Sequence, residues 1–381
     1  MLPVNVVVTG IGLVTPLGNT ADGILDRIGR GEVAASPPAF DTTALACHCC
    51  APVTDFDPGT YFPDNKTLRL MDRAAQMAAV AARLAMKDAG VRPDETYPAE
   101  QIALYGATGV SSLPVSEIGR IVRHAAGHDG SLDMERFGRM ALKRVRPVLS
   151  FRILANMPIC FVSILEDIRG PNAVYTPWEG QGAQAITAGV RAIKRGDVPC
   201  ALVGGCDVKT CEIAFIHLMQ LNLLESWKQQ GEGCIPGEGA AFLVLESEDQ
   251  AAARGKRAYA RIADYALRSS RGDLPMEDTL SSVISGMRIS GSSLVVGAGD
   301  GVPGIADAEE HALAQAGLVP GQWLRPKRHL GNLFAAAAAV QVALAAKLCG
   351  SGAGDQKALA NCFGHGSEQA SFVLENTCVG S

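Results

Sequence analysis

Apolar residues recur at helical spacing over residues 67–88, where Leu70, Met71, Ala74, Met77, Val80 and Leu84 share one face. The run ends at Ala89-Gly90, a pair that stops a helix. Upstream, an apolar strand over 4–8 leads into Thr9-Gly10-Ile11-Gly12, read as a tight turn from strand to loop. Downstream, a strand over 102–105 meets Gly106-Ala107-Thr108-Gly109. A helix over 182–195 and a strand over 200–203 follow.

The order then partly recurs. A strand over 258–265 precedes a helix over 276–287. Ser293-Leu294-Val295-Val296-Gly297-Ala298-Gly299 echoes the segment around Leu104 to Gly109. Helices are expected over 306–316 and 333–348, and a last strand over 371–375. Strands that end in glycine turns and alternate with buried helices indicate a duplicated α/β fold. The charged run at 246–257 sets the expected boundary, giving halves at 1–250 and 251–381 joined through one sheet system.

Composition narrows the function. The chain has 381 residues, 48% hydrophobic and 19% charged, with net charge −5. Its pI is about 5.8. Nothing here argues for nucleic acid or a membrane surface. The densest basic stretch, Lys143-Arg144-Arg146 with Arg152, reads as a solvated or carrier-facing patch. Eleven cysteines are scattered, many in apolar runs such as those around Cys160, Cys200 and Cys349. With no basic leader before Val6-Val7-Val8, this points to a reduced cytoplasm. No stretch is expected to be long enough to cross a bilayer.

Two motifs suggest chemistry and fail on detail. Gly10-Ile11-Gly12 follows a strand as in a dinucleotide site, but Thr15-Pro16 stands where the third glycine belongs. Cys47-His48-Cys49-Cys50 has C-x-x-C spacing and no second ligand pair near it, so no metal is expected. A stronger signal is the glycine-laced loop from Gly231 to Gly239, which feeds the apolar run Ala240-Ala241-Phe242-Leu243-Val244-Leu245-Glu246.

Together these segments resemble the β-ketoacyl-acyl-carrier-protein synthases. The resemblance rests on Val6–Gly18, Met71-Asp72-Arg73, Asn156-Met157, Arg169-Gly170-Pro171-Asn172, Gly233–Glu246 and Asn361-Cys362-Phe363-Gly364-His365-Gly366. It implies the thiolase-like fold: two similar halves, five alternating αβαβα layers and a pseudo-twofold axis. It also implies a Cys-His-His set. Counting back from Gly204-Gly205 places Glu179 at the cysteine. By resemblance, Gly297-Ala298-Gly299-Asp300-Gly301 is the counterpart of the first histidine's segment and holds none. Likewise Lys327-Arg328-His329-Leu330-Gly331-Asn332 puts Asn332 at the second, keeps the family's lysine as Lys327 and leaves Gln341 where the acid nine positions on belongs. A carboxylate cannot carry the acyl group, because a mixed anhydride is too labile to await a second substrate. The two histidines would have stabilised the enolate formed on decarboxylation.

The resemblance therefore implies a non-catalytic subunit of the chain-length-factor kind. Its partners would be a catalytic ketosynthase in a heterodimer and an acyl carrier protein. No cofactor is implied. Chain-length factors usually carry glutamine where Glu179 stands, and this departure points to the subgroup serving aryl polyene pigment systems. The expected tunnel lining lies in residues 110–113 and 149–161, with Ala155 and Cys160 as small positions and Phe363 nearby. Glu179 is expected to pair with Lys327, whose usual acid has become Gln341. Two other readings stay open: a residual hydrolase or decarboxylase using Glu179 with His365, and a condensing enzyme with a relocated cysteine at Cys206 or Cys234.

Overall fold

The computed structural model describes residues 4–377, apart from 46, 64–65, 111–114, 146, 225–234, 271–275, 288, 290–293, 300–303 and 352–355. Asp300, Cys234 and residues 111–113 of the expected lining lie outside the described residues.

Ten strands form one sheet: β1 (Val6–Val14), β2 (Ile102–Thr108), β3 (Asn172–Tyr175), β4 (Cys200–Val208), β5 (Glu238–Ser247), β6 (Ala260–Ser269), β7 (Leu294–Val296), β8 (Gln322–Leu324), β9 (Lys357–Cys362) and β10 (Glu368–Glu375). Their order is β3-β2-β4-β5-β1-β6-β10-β9-β7-β8. Read from each end, the first five strands and the last five follow the same order, β3-β2-β4-β5-β1 against β8-β7-β9-β10-β6. The halves meet where β1 and β6 pair antiparallel, Val6 opposite Ile262 and Val8 opposite Ala260. This internal symmetry is the duplication that the weak glycine-turn echo suggested.

Six helices supply the layers: α1 (Arg73–Ala89), α2 (Met157–Glu166), α3 (Glu179–Arg195), α4 (Met276–Ser285), α5 (Ile305–Gln315) and α6 (Ala337–Ser351). The central core brings α3 and α6 together with strands of both halves, among them Val203, Leu243, Ala360 and Phe372. Helices α1 and α2 cover the outer face of the first half. Helices α4 and α5 cover the second. The layering is that of the thiolase-like fold.

Helix α1 starts at Arg73, six residues after the expected start, because the Asp72 carboxylate caps it by accepting the Ala75 N–H at 2.8 Å. Residues Lys66–Leu70 form a separate 3-10 turn, and α1 stops at Gly90 in the left-handed conformation (φ 67°), as expected. It also corrects the reading of Gly10-Ile11-Gly12 as a turn. These residues lie inside β1, and a Cβ on Gly12 would stand 1.9 Å from the Ala81 carbonyl oxygen of α1. The glycines let helix and strand backbones touch.

A second correction concerns the apolar stretch Phe334–Ser351. It is long and apolar enough to cross a membrane, contrary to the expectation that no stretch would be. Most of it is buried, because α6 lies between the two halves of the sheet and must be apolar on all sides.

Candidate functional site

The amino end of α3 is set by Trp178, whose N–H donates to the Gln181 side-chain oxygen at 3.0 Å. The helix therefore begins at Glu179, three residues before the sequence pattern placed it. Gln181 in turn donates to Glu368 at 2.7 Å. The Trp178 ring packs against His217, Phe334 and His365, with centroids 5.9, 6.2 and 6.0 Å away.

Glu179 points inward and is 1% exposed. Asn332 donates to its Oε1 at 2.8 Å, and the backbone N–H of His365 donates to its Oε2 at 3.1 Å. The Lys327 ammonium is 3.7 Å from Oε1 and donates to the Phe363 carbonyl at 3.1 Å. The expected ion pair is thus present, with the direct hydrogen bond supplied by Asn332. Gly364 gives the carboxylate room, since a Cβ there would lie 2.3 Å from Glu179 Cδ.

Burial pushes the Glu179 carboxyl up, but Lys327, His365 and the Asn332 hydrogen bond outweigh it and hold the group below its usual range. Burial also lowers the His365 imidazole pKa. A neutral ring contributes little charge, so near neutrality Lys327 and Asn332 carry the effect. The carboxylate is ionised, both its oxygens are engaged, and it has no proton to give. Among the described residues its only hydrogen bond from His365 is the backbone one, and the ring Nε2 of His365 is buried without a partner. The acid–base pair of the hydrolase reading is not assembled.

Gln341 does not reach Lys327; its amide donates to the Gly297 carbonyl at 3.0 Å. The nearby acid is Glu309, 2% exposed, which accepts from the N–H groups of Ala298 (3.1 Å) and Gly299 (2.7 Å) and from the Asn361 amide (2.6 Å). It fixes the backbone at Ala298-Gly299. The sequence reading missed it, although an acid on the Ile305, Ala308, Ala312 face of a helix was a visible signal. Also missed was a fully buried ion pair, Asp207 with Lys209, on one face of β4 and its exit. The Lys209 ammonium sits 5.3 Å over the Phe334 ring.

Other candidates fall elsewhere. Cys206 is fully buried inside β4, and burial pushes its thiol well up, so it is an inert thiol. Ala155 is half-buried, and its carbonyl accepts from the Thr108 hydroxyl at 2.7 Å. Cys160 is half-buried on α2, its sulfur 3.6 Å from the Asn156 amide. Phe363 is fully buried among Leu280, Ile305 and Val373 in the outer core of the second half. Phe363 therefore lies apart from Ala155 and Cys160, which stay together at the start of α2. Arg152 also departs from the expected surface patch. It donates to the Arg69 carbonyl at 3.1 Å and faces Asp72, Cys50 and Cys211 across a cavity of about 490 Å³.

Residues 4–251 match the family described as β-ketoacyl synthase, N-terminal domain. The chain belongs to the β-ketoacyl synthase family. This ketosynthase-family chain is 27% identical over 368 residues to the tetracenomycin polyketide synthase ketoacyl synthase beta subunit of Streptomyces glaucescens, covering 90% of this chain and 85% of that protein. It is 27% identical over 274 residues to 3-oxoacyl-[acyl-carrier-protein] synthase 2 of Synechocystis sp., covering 69% of this chain and 62% of that protein's length. The alignments to several such synthases thus span about three fifths of those relatives. The solved ishigamide ketosynthase/chain length factor superposes with a TM-score of 0.78 at 21% identity, over 98% of this chain and 99% of that one. A β-ketoacyl synthase from Burkholderia phymatum gives 0.79 at 20% identity, over 98% and 100%. Both share its fold.

Proposed function

We propose that this chain is the non-catalytic, chain-length-setting subunit of a heterodimeric ketosynthase that makes a polyketide or an aryl polyene on an acyl carrier protein. The observation that carries the reading is the state of Glu179. A reactive thiolate would be needed at the tip of α3, and the group there is an ionised carboxylate with both oxygens engaged. It can neither hold an acyl group as a durable thioester nor donate a proton. Asn332 stands where the resemblance calls for a histidine and spends its amide on Glu179.

The surface supports a partner. Most of the large exposed apolar side chains among the described residues lie between Val110 and Ile164, including Leu132, Met134, Leu142, Phe151, Leu154 and Ile164. Exposed apolar side chains gathered into one stretch of the chain suit an interface with a catalytic ketosynthase. Ala155 and Cys160 border it, where a chain growing on the partner would meet this subunit.

The test is co-expression with a ketosynthase encoded beside this chain, followed by copurification and product mass. We expect a complex, product only when both chains are present, and shorter product when Ala155 is enlarged to Phe. Turnover of malonyl- or acyl-carrier protein by this chain alone, abolished by Glu179→Gln, would establish the hydrolase or decarboxylase reading instead.

A further inference from the structure

The groups that hold Glu179 come from distant segments. Lys327 lies in the short helix Pro326–Leu330, Asn332 just beyond it, and the His365 N–H in the turn between β9 and β10. Each is anchored independently of Glu179. Asn332 is buried, and its Oδ1 accepts the Phe334 N–H at 3.0 Å, which turns its amide toward the site. Lys327 is 6% exposed and is tethered by the Phe363 carbonyl. Gln369 fixes the turn that presents the His365 N–H, through the Gly364 N–H at 3.0 Å and the Gly366 carbonyl at 2.7 Å. A cation and two convergent N–H donors, all preset and shielded from water, make a hole for an anion.

We propose that Lys327, Asn332 and the His365 N–H form a carboxylate-binding site, occupied in this chain by its own tethered carboxylate, Glu179. The tether gives Glu179 a high effective concentration, so a free carboxylate or the carboxyl group of a carrier-bound malonyl unit cannot displace it. In the reading above, which the functional consequence rests on, the subunit is thereby closed to its partner's substrates and does not sequester them unproductively. Once the tether is cut, the site takes a free small carboxylate.

The probe is acetate, tested on the full chain carrying Glu179→Ala. Its thermal midpoint should rise saturably in sodium acetate, by about 2–4 °C beyond sodium chloride at equal ionic strength. The unsubstituted chain and Glu179→Gln, whose site is still filled, should respond alike to both salts. Adding Asn332→Ala should weaken the acetate response at least tenfold. Equal responses of Glu179→Ala to acetate and chloride, or an acetate response unchanged by Asn332→Ala, would overturn the proposal. If Glu179→Ala does not fold unaided, refolding yield is the readout. Recovery in acetate and not in chloride supports the site; equal failure in both rejects it. Partner-dependent product formation is measured separately, so either reading can fail alone.

Discussion

Asn332 and Glu179 lie 153 positions apart in sequence and share a buried hydrogen bond of 2.8 Å. This contact ties the tip of α3 in the first half of the sheet to the loop before α6 in the second. It stands where the resemblance would place two members of a catalytic set. The same carboxylate oxygen faces Lys327 at 3.7 Å, so charge balance in the site depends on a pair with 1% and 4% of their side chains exposed.

Breaking that pair from one side should be costly. Lys327→Met leaves a buried carboxylate without its cation, and we expect a loss of about 3–5 kcal/mol in denaturant unfolding. Glu179→Gln with Lys327→Met removes both charges while keeping an oxygen to accept from the buried donors, and should recover most of that loss. Additive losses in the double variant would show that the ion pair does not couple the two residues.

Asp72 gives a pH dependence of definite sign. Burial pushes its pKa up to about 6, against the opposing Ala75 N–H and Arg152. The folded state therefore binds the proton more tightly than the unfolded one. The contribution of Asp72 to stability is full below the unfolded pKa near 4 and is lost as pH rises through about 6, on the order of 1–3 kcal/mol. Asp72→Asn keeps the cap on α1 and should flatten the unfolding free energy between pH 4 and 7. An unchanged profile in that variant would assign the titration to another group. Glu179 has the opposite sign: its pKa is held down, so its contribution persists at neutral and mildly acid pH and is lost as pH falls through the folded value.

Much of the fold was legible because periodicity follows burial. The stop at Gly90 and the apolar runs of β4 and β5 appear where the sequence placed them, whereas α1 begins only at Arg73, leaving Leu70 and Met71 of the expected stripe ahead of its cap. The duplication was visible as a faint echo and became plain in the strand order, since order is a property of pairing that no local window contains. Gly10 and Gly12 misled for a physical reason: a glycine needed for close helix approach looks like a glycine needed for a turn. In the site, Glu179, Lys327 and Asn332 could be placed by counting within motifs. Glu309 with Asn361 could not, because the two meet only once the fold packs them. Asp207 with Lys209 shares one strand face at i, i+2, but nothing local shows that the pair is buried.

The glycine argument can be checked directly. A Cβ on Gly12 would lie 1.9 Å from the Ala81 oxygen and 2.4 Å from the Ala85 nitrogen, both backbone atoms that cannot rotate aside. Gly12→Ala should force α1 off β1 and cost about 1–3 kcal/mol or more. Gly29→Ala meets nothing within 4 Å at the end of a helix and should be neutral or slightly stabilising. Equal effects of the two in thermal unfolding would contradict the close packing of α1 on the strand.

The apolar face offers the sharpest separation of stability from assembly. Leu154 is 51% exposed and Ile164 is 64% exposed. An aspartate at either position meets water in the isolated chain, so its unfolding midpoint should change little. In a complex that covers this face, the same charge would be buried without a partner, and association should weaken at least tenfold. Gel filtration and pull-down with the co-expressed ketosynthase read this directly. Val319→Asp, at a position 74% exposed and far along the chain from this face, is the control and should leave the complex intact. A complex that tolerates both Leu154→Asp and Ile164→Asp would place the partner on another surface.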